Sequence, residues 1–281
     1  MTEHTFNSHI TGTLQNTPTR GQKGLIPYIM AGDPDLDTTV ELAVAMAEAG
    51  ADVLELGVPF SDPVADGPTI QAAGQRALAA GAKLPGILEA VRQIRRRSHI
   101  PLVLMTYYNP VYRYGPEKFV LDAVAAGAGG MIVPDLPPEE SDLLLRAADN
   151  HGLDLIPLIT PNTPTRRLKI IAGRARGFVY CVSVTGVTGE RRQIAANLSA
   201  FTAAVREHTV LPVAVGFGIS RPEQAAQTAQ YCDAVVVGSA LVKTVAERGN
   251  TPDLVPSVAR QVGELKKALA GREVKQVVTA L

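Results

Sequence analysis

Residues 51–71 read ADVLELGVPFSDPVADGPTIQ and contain one complete strand–loop–helix unit. The apolar run 53–56 predicts a buried strand that turns at Gly57, and a helix begins near Thr69. Within this strand Glu55 is an anomaly, because it is a carboxylate among apolar side chains. Burial disfavours the charged form, so we expect a raised pKa for Glu55, which suits proton transfer. The alternative is a structural glutamate held by a salt bridge or by backbone amides.

The rest of the chain repeats this unit. Apolar runs that indicate strands alternate with helical periodicity, at residues 25–30, 53–57, 102–107, 131–133, 155–159, 178–183, 213–215 and 234–237. Short, almost wholly apolar strands are typical of a parallel sheet covered on both faces. Eight such units predict an α/β fold, a single-domain (β/α)₈ TIM barrel over 1–281 with its core at about 24–270. An extra helical piece follows strand two, a polar lead-in precedes the core, the tails 1–20 and 272–281 are unassigned, and an open sheet is the alternative.

Composition and charge narrow the classes of function. Lys+Arg and Asp+Glu both number 27, so no global basic field exists to attract nucleic acid or an anionic membrane. The five histidines are scattered without metal-ligand spacing, and the two cysteines form no pattern. No apolar run is long enough to span a bilayer, and the polar N-terminus lacks the apolar segment of a signal peptide. The sequence therefore predicts a cytoplasmic protein without a metal site.

Glycine-rich turns follow the last three strands of the predicted barrel, at residues 185–189, 216–220 and 238–239. Barrel active sites lie at the C-terminal ends of the strands, and the last loops commonly hold phosphate. No lysine or arginine lies within these turns, so backbone amides at helix starts would dominate the binding. Ser220 with Glu223 also fits a capping box, which is the favoured interpretation of that serine.

The eight strand runs contain no lysine, arginine or histidine. A Schiff-base lysine is therefore absent from the strands, and the salt-bridge interpretation of Glu55 is weakened, although Arg191 or Arg192 in a loop would still be a possible partner. Strand alternation predicts that Glu55 points into the barrel, where Asp66 from the next loop can reach the same space. Tyr180 shares this inward parity, and its hydroxyl is either a satisfied core group or a partner of Glu55.

Five motifs occur in order along the chain: LELGVPFSDPVADGPTIQ at 54–71, YYNPV at 107–111, SVTGVTG at 183–189, GFGIS at 216–220 and VVVGSALVK at 235–243. Together they resemble the motifs of the tryptophan synthase alpha subunit family. The match runs from about Leu25 to the helix after Lys243. The resemblance implies a lyase of tryptophan biosynthesis, which cleaves indole-3-glycerol phosphate to indole and glyceraldehyde 3-phosphate by a retro-aldol step.

The resemblance also implies roles for individual residues. Glu55 would be the general acid/base, Asp66 would bond the indole N–H, and Tyr180 would orient near the substrate. The phosphate would be held by Gly189, Gly218, Gly238 and Ser239. The indole pocket would be lined by Tyr28, where the family often has phenylalanine, and by Ile70, Met105 and Tyr107. Thr188 would belong to a lid over the site, and the rim loops that meet a partner would contain Pro59, Asp62, Asn109 and Pro110.

The family works as an αββα complex, so the resemblance implies a tryptophan synthase beta subunit as partner. Pyridoxal phosphate is expected in the beta subunit and no cofactor in this chain. Two rival functions stay open: another phosphate-handling barrel, such as an isomerase or epimerase, and a non-catalytic binding or activating subunit. An assay of indole release from indole-3-glycerol phosphate distinguishes the lyase from the first rival. The activity of the variant Glu55→Gln distinguishes a catalytic chain from the second.

Overall fold

Strands and helices alternate through the computed structural model, which describes residues 8–182, 191–216 and 218–270, without the side chains of 191–196. The strands are β1 (Gly24–Met30), β2 (Leu54–Gly57), β3 (Leu102–Met105), β4 (Gly130–Ile132), β5 (Asp154–Ile156), β6 (Leu158–Ile159), β7 (Val179–Val182), β8 (Val213–Gly216) and β9 (Ala234–Val237). The helices are α1 (His9–Gln15), α2 (Leu36–Glu48), α3 (Pro68–Ala79), α4 (Leu84–Arg97), α5 (Tyr108–Tyr114), α6 (Pro116–Ala126), α7 (Asp142–His151), α8 (Thr165–Arg174), α9 (Arg191–Arg206), α10 (Pro222–Thr228), α11 (Ser239–Arg248) and α12 (Leu254–Ala268).

All the strands belong to one parallel sheet in the order β5-β4-β3-β2-β1-β9-β8-β7-β6. Its two outermost strands, β5 and β6, are consecutive in the chain and separated only by Pro157, so the sheet closes on itself. The prediction of a (β/α)₈ barrel is confirmed, but the predicted fifth strand is divided into two. Proline has no N–H for the ladder, and at this residue the pairing changes from β4 to β7.

Strand alternation divides the apolar side chains into an inner and an outer layer. Val53 lies in the inner cluster with inward residues of the other strands, whereas Leu54 and Leu56 pack in the outer cluster under the helices. Fully burying a leucine or phenylalanine contributes about 1.5–3 kcal/mol, so a register slip of one residue would exchange the two layers at high cost. Glu55, between Leu54 and Leu56, therefore faces the barrel interior.

Helix α1 lies within the stretch that the sequence left as a polar lead-in. Its apolar residues Ile10 and Leu14 are buried in the inner cluster, at the ends where the strands begin. The Ser8 hydroxyl caps the helix by accepting from the Thr11 N–H at 3.1 Å and donates to the Asp154 carboxylate. The sequence missed this helix because two apolar residues in seven form too short a pattern for a periodicity argument.

The mouth of the barrel, where the strands end, also contains a helix that the sequence missed. Asn109 and Pro110 were expected on a rim loop, but both lie in the first turn of α5. A proline is tolerated there because the first helical N–H groups have no partner within the helix. Helix α3 is the extra helical piece expected after the second strand and begins one residue before Thr69. Within the described residues, no helix has the length and apolar character needed to cross a membrane.

Candidate active site

A cavity of about 470 Å³ opens where the strands end. It brings together these residues of the predicted site: Tyr28, Glu55, Asp66, Ile70, Met105, Tyr180, Gly218, Gly238 and Ser239. Tyr107 is not among the lining residues, and its hydroxyl instead accepts from the Ala65 N–H at 3.0 Å. Thr188 and Gly189 lie outside the described residues. The four residues expected at a partner interface, Pro59, Asp62, Asn109 and Pro110, do not line the cavity.

Glu55 is the deepest carboxyl of the cavity. Its side chain is 2% exposed, and its Oε2 atom has no hydrogen-bond partner among the described residues. Desolvation, with a smaller contribution from the negative charge of Asp66, raises the pKa of Glu55 to about 8. No salt bridge joins Glu55 to a cation within the described part of the chain, and the side chains of Arg191 and Arg192 lie outside it. An uncompensated buried carboxyl can hold or release a proton near neutral pH.

Asp66 shares the cavity but has wetter surroundings. It lies half-buried in the loop between β2 and α3, where a backbone turn and the Gln71 side chain, which donates to the Asp66 carbonyl at 2.9 Å, fix its position. Desolvation raises the pKa of Asp66, and the polar hydroxyl of Tyr107 lowers it in part. Two carboxyls with different surroundings titrate apart, so one can act as an acid while the other stays ionised.

Two tyrosines lie against glycines at the ends of neighbouring strands. The Tyr180 hydroxyl lies over Gly216, where an added Cβ would be 2.6 Å from it, and the Tyr28 hydroxyl lies over Gly57, where the distance would be 2.1 Å. Burial raises the pKa of both tyrosines. Among the described residues the Tyr180 hydroxyl makes no hydrogen bond to Glu55. No contact in the structure therefore supports the interpretation that Tyr180 is a partner of Glu55.

The glycine turns after β8 and β9 leave room for an anion. Gly218 has a positive φ of 72° and nothing within 4 Å of an added Cβ. The expected capping pair of Ser220 and Glu223 is wrong: the Gln224 side chain, one residue further on, accepts from the Ser220 N–H at 3.0 Å. That acceptor occupies the start of α10, whereas Ser239 begins the ten-residue α11 without a side-chain cap. The first amides of α11 therefore stay available to an anion.

Several site features could not be found by following charged residues. Gly57 and Gly216 make room for the tyrosines, and the signal was a glycine ending a strand beside an aromatic residue of the preceding strand. Pro134, Leu158 and Thr160 also line the cavity. Their signal was position alone, since Pro134 and Thr160 lie just beyond the end of a strand and Leu158 lies in the two-residue β6.

This geometry defines a class, that of (β/α)₈-barrel enzymes with a buried carboxyl at the mouth and glycine turns after the last strands. The family model described as "Tryptophan synthase alpha chain" matches residues 14–270. The chain belongs to the tryptophan synthase alpha chain family, and the resemblance of its motifs is confirmed.

Relatives agree in sequence and in structure. The tryptophan synthase alpha chain of Geobacter sulfurreducens is 52% identical over 262 residues, which are 93% of this chain and 99% of the relative. That of Thermoanaerobacter sp. strain X514 is 47% identical over 249 residues, 89% and 95% of the two chains. The crystal structure of tryptophan synthase subunit alpha from Legionella pneumophila str. Paris is similar with a TM-score of 0.86 at 40% identity, covering 93% of this chain and 98% of the other. A ligand-free mutant form of tryptophan synthase from M. tuberculosis gives 0.84 at 37% identity, covering 94% and 99%.

Proposed function

We propose that Glu55 and Asp66 catalyse, in this chain, the family's lyase reaction. The alpha chain of tryptophan synthase cleaves indole-3-glycerol phosphate to indole and glyceraldehyde 3-phosphate. The observation that supports these roles is the uncompensated Glu55 carboxyl, buried beside a second carboxyl in a cavity large enough for an aromatic ring and a short phosphorylated chain.

Glu55 supplies the acid and base steps. With its pKa at about 8, the carboxyl is mostly protonated at neutral pH and can give its proton to C3 of the indole ring. The carbon–carbon bond between the ring and the glycerol chain then breaks, with its electrons returning to the ring. The adjacent glycerol hydroxyl loses its proton to the carboxylate and becomes the aldehyde. The proton balance closes on Glu55.

Asp66 and the glycine turns hold the two ends of the substrate. An ionised Asp66 accepts from the indole N–H and stabilises the positive charge that develops on the ring when C3 is protonated. The phosphate end lies on the amides of the turns at Gly218 and Gly238 and at Ser239, the first residue of α11. Tyr28, Ile70 and Met105 supply the apolar wall against the ring. Tyr107 supports the loop that contains Asp66 through its bond from the Ala65 N–H. Gly189 and Thr188 would complete the phosphate turn and the lid.

The alpha chain of this family pairs with the tryptophan synthase beta subunit, which holds the pyridoxal phosphate. We place the interface on the mouth side of the barrel, at residues Pro59, Asp62, Asn109 and Pro110. Asp62 is exposed there, although its bond from Ser61 is that of an ordinary turn residue. A single domain over residues 1–281 and a cytoplasmic location stay predictions.

The experiment is indole release from indole-3-glycerol phosphate, measured for the chain alone and with a beta subunit. We expect release in both, and Asp66→Asn should lower kcat by about a hundredfold to a thousandfold, the scale of one lost charge-stabilising contact. A wild-type chain that releases no indole with its partner, but interconverts a phosphorylated sugar, would show that the isomerase interpretation is the correct one.

A further inference from the structure

Tyr28 holds a buried hydroxyl inside the active-site cavity that the proposed mechanism does not use. The residue is on β1, directly beside Glu55 of β2 in the sheet register, and its side chain is 5% exposed. Among the described residues, its hydroxyl donates a hydrogen bond to the Met30 sulfur at 4.0 Å and to no other group. A thioether is a weak acceptor, so the hydroxyl is close to unsatisfied, which is costly for a buried polar group.

The fold fixes this side chain in position. Its ring packs on Gly238, where an added Cβ would meet the Tyr28 ring at 3.4 Å, and its hydroxyl lies over Gly57. Met30 and Val242 pack with the ring in a small apolar cluster beside α3. The side chain thus extends from the anion-binding turn at Gly238 to the end of the strand that contains Glu55. A hydroxyl held so firmly keeps one orientation toward the cavity.

The charged neighbours of this hydroxyl are the two carboxyls of the site. The negative charge of Asp66 raises the pKa of the Tyr28 hydroxyl more than the charge of Glu55 does. The hydroxyls of Tyr107 and Tyr180 are the other titratable groups that face it. Asp66 lies in the same cavity lining as Tyr28. The Tyr28 hydroxyl, whose partner is only a weak acceptor, is therefore available to the Asp66 carboxylate as a donor.

We propose, on the basis of the proposed function, that Tyr28 is a positioning residue whose hydroxyl donates a hydrogen bond to the Asp66 carboxylate when substrate fills the cavity. Substrate binding excludes water from the cavity, and the Tyr28 hydroxyl, which lacks a strong acceptor, then donates to Asp66. This hydrogen bond holds the charge of Asp66 toward the indole N–H. The hydroxyl thereby keeps Asp66 ionised while Glu55 holds its proton.

The test is the variant Tyr28→Phe, which keeps the ring and removes the hydroxyl alone. A donor to a carboxylate lowers its pKa, so losing the donor raises the pKa of Asp66. We expect the acid limb of the pH profile of kcat for indole release to move upward by about one pH unit, the usual scale of one hydrogen bond to a charged group, because kcat reports the groups of the substrate-bound enzyme, in which this bond forms. The alkaline limb, which reports Glu55, should stay in place. The phosphate of the substrate titrates equally in every variant, so the comparison isolates the protein group.

The matched control is Tyr180→Phe. Glu55 is the charged group that acts on the Tyr180 hydroxyl, so this variant should leave the acid limb where the wild type has it. An acid limb that is identical in Tyr28→Phe and wild type would overturn the proposal, and so would an equal shift in both tyrosine variants. Neither result would touch the proposed function, which fails instead if the wild-type chain with its partner releases no indole.

Discussion

Glu55→Gln should make the protein more stable and less active at the same time. The side chain is 2% exposed and its pKa is raised to about 8 from an ordinary 4.5, so the wild type loses stability by holding a carboxyl that the unfolded chain would ionise. Between pH 4.5 and pH 7 the difference reaches about 3 kcal/mol at 1.36 kcal/mol per pH unit. Glutamine keeps the shape, removes the ionisation and leaves one polar group unpaired, so we expect a net gain of about 1–3 kcal/mol at pH 7.

The pH dependence gives this prediction its sign. A carboxyl with a raised folded-state pKa costs nothing below its unfolded value of 4.5, because both states are then protonated. From pH 4.5 to about 8 the unfolded state is ionised and the folded state keeps its proton, so the stability of the wild type falls with rising pH. The advantage of Glu55→Gln should therefore be absent near pH 4 and largest at pH 8 and above.

Activity should change in the opposite direction. Loss of a general acid/base lowers the rate by about 10² to 10⁴, which corresponds to about 3–5 kcal/mol of transition-state stabilisation. Indole release measures the rate, and urea unfolding followed by circular dichroism measures the stability, since the chain has no tryptophan to report by fluorescence. A variant that is less stable than the wild type at pH 8 would show that Glu55 is a structural group with a partner, and the mechanism would be refuted. Binding of the beta subunit should be unchanged.

Three further variants test other parts of the site and the fold. Gly218→Val should raise KM by about tenfold or more with kcat little changed, because φ is +72° and the turn supplies phosphate amides; an unaltered KM would exclude this turn. Gly57→Ala should lower kcat/KM and cost about 1–3 kcal/mol in a denaturation curve, because its Cβ would lie 2.1 Å from the Tyr28 hydroxyl. Burial raises the pKa of Asp154 to about 6, so the stability of the wild type should fall as the pH rises from about 4 to 6, and Asp154→Asn should remove part of that fall. An unchanged slope of unfolding free energy against pH in the variant would contradict this.

The barrel could be predicted from the sequence because its strands are short, apolar and separated by helical periodicity. The pattern could not show that the fifth strand divides at Pro157, since an apolar run of five residues gives no pairing partner. Helix α1 was missed for a related reason: Ile10 and Leu14 alone do not make a periodicity, and only the closed barrel provides the apolar surface that they bury. Such elements depend on tertiary packing rather than on local preference.

The two carboxyls of the cavity were visible from the sequence, and the tyrosines around them were visible only in part. A carboxylate inside an apolar strand is a local anomaly, so Glu55 could be found without knowing its neighbours. The tyrosines depend on distances between strands that no spacing along the chain encodes. Tyr180 was expected beside Glu55 from parity, yet its hydroxyl lies over Gly216, and the Tyr28 hydroxyl has its position over the end of β2 only because Gly57 leaves space.

The strands contain no cationic side chain, and this one feature explains both the raised pKa of Glu55 and the stability that the protein loses by burying it. A lysine or arginine beside Glu55 would stabilise the carboxylate and lower its pKa, and the group would then stay ionised and be a poor proton donor. Desolvation without a counter-ion does the opposite, and the neighbouring charge of Asp66 raises the pKa of Glu55 further. The second carboxyl thus has two effects that support each other. In the proposed mechanism its charge keeps the proton on Glu55 before the reaction and is in place for the ring when that proton leaves, so a hydroxyl donor that keeps Asp66 ionised would act on both steps.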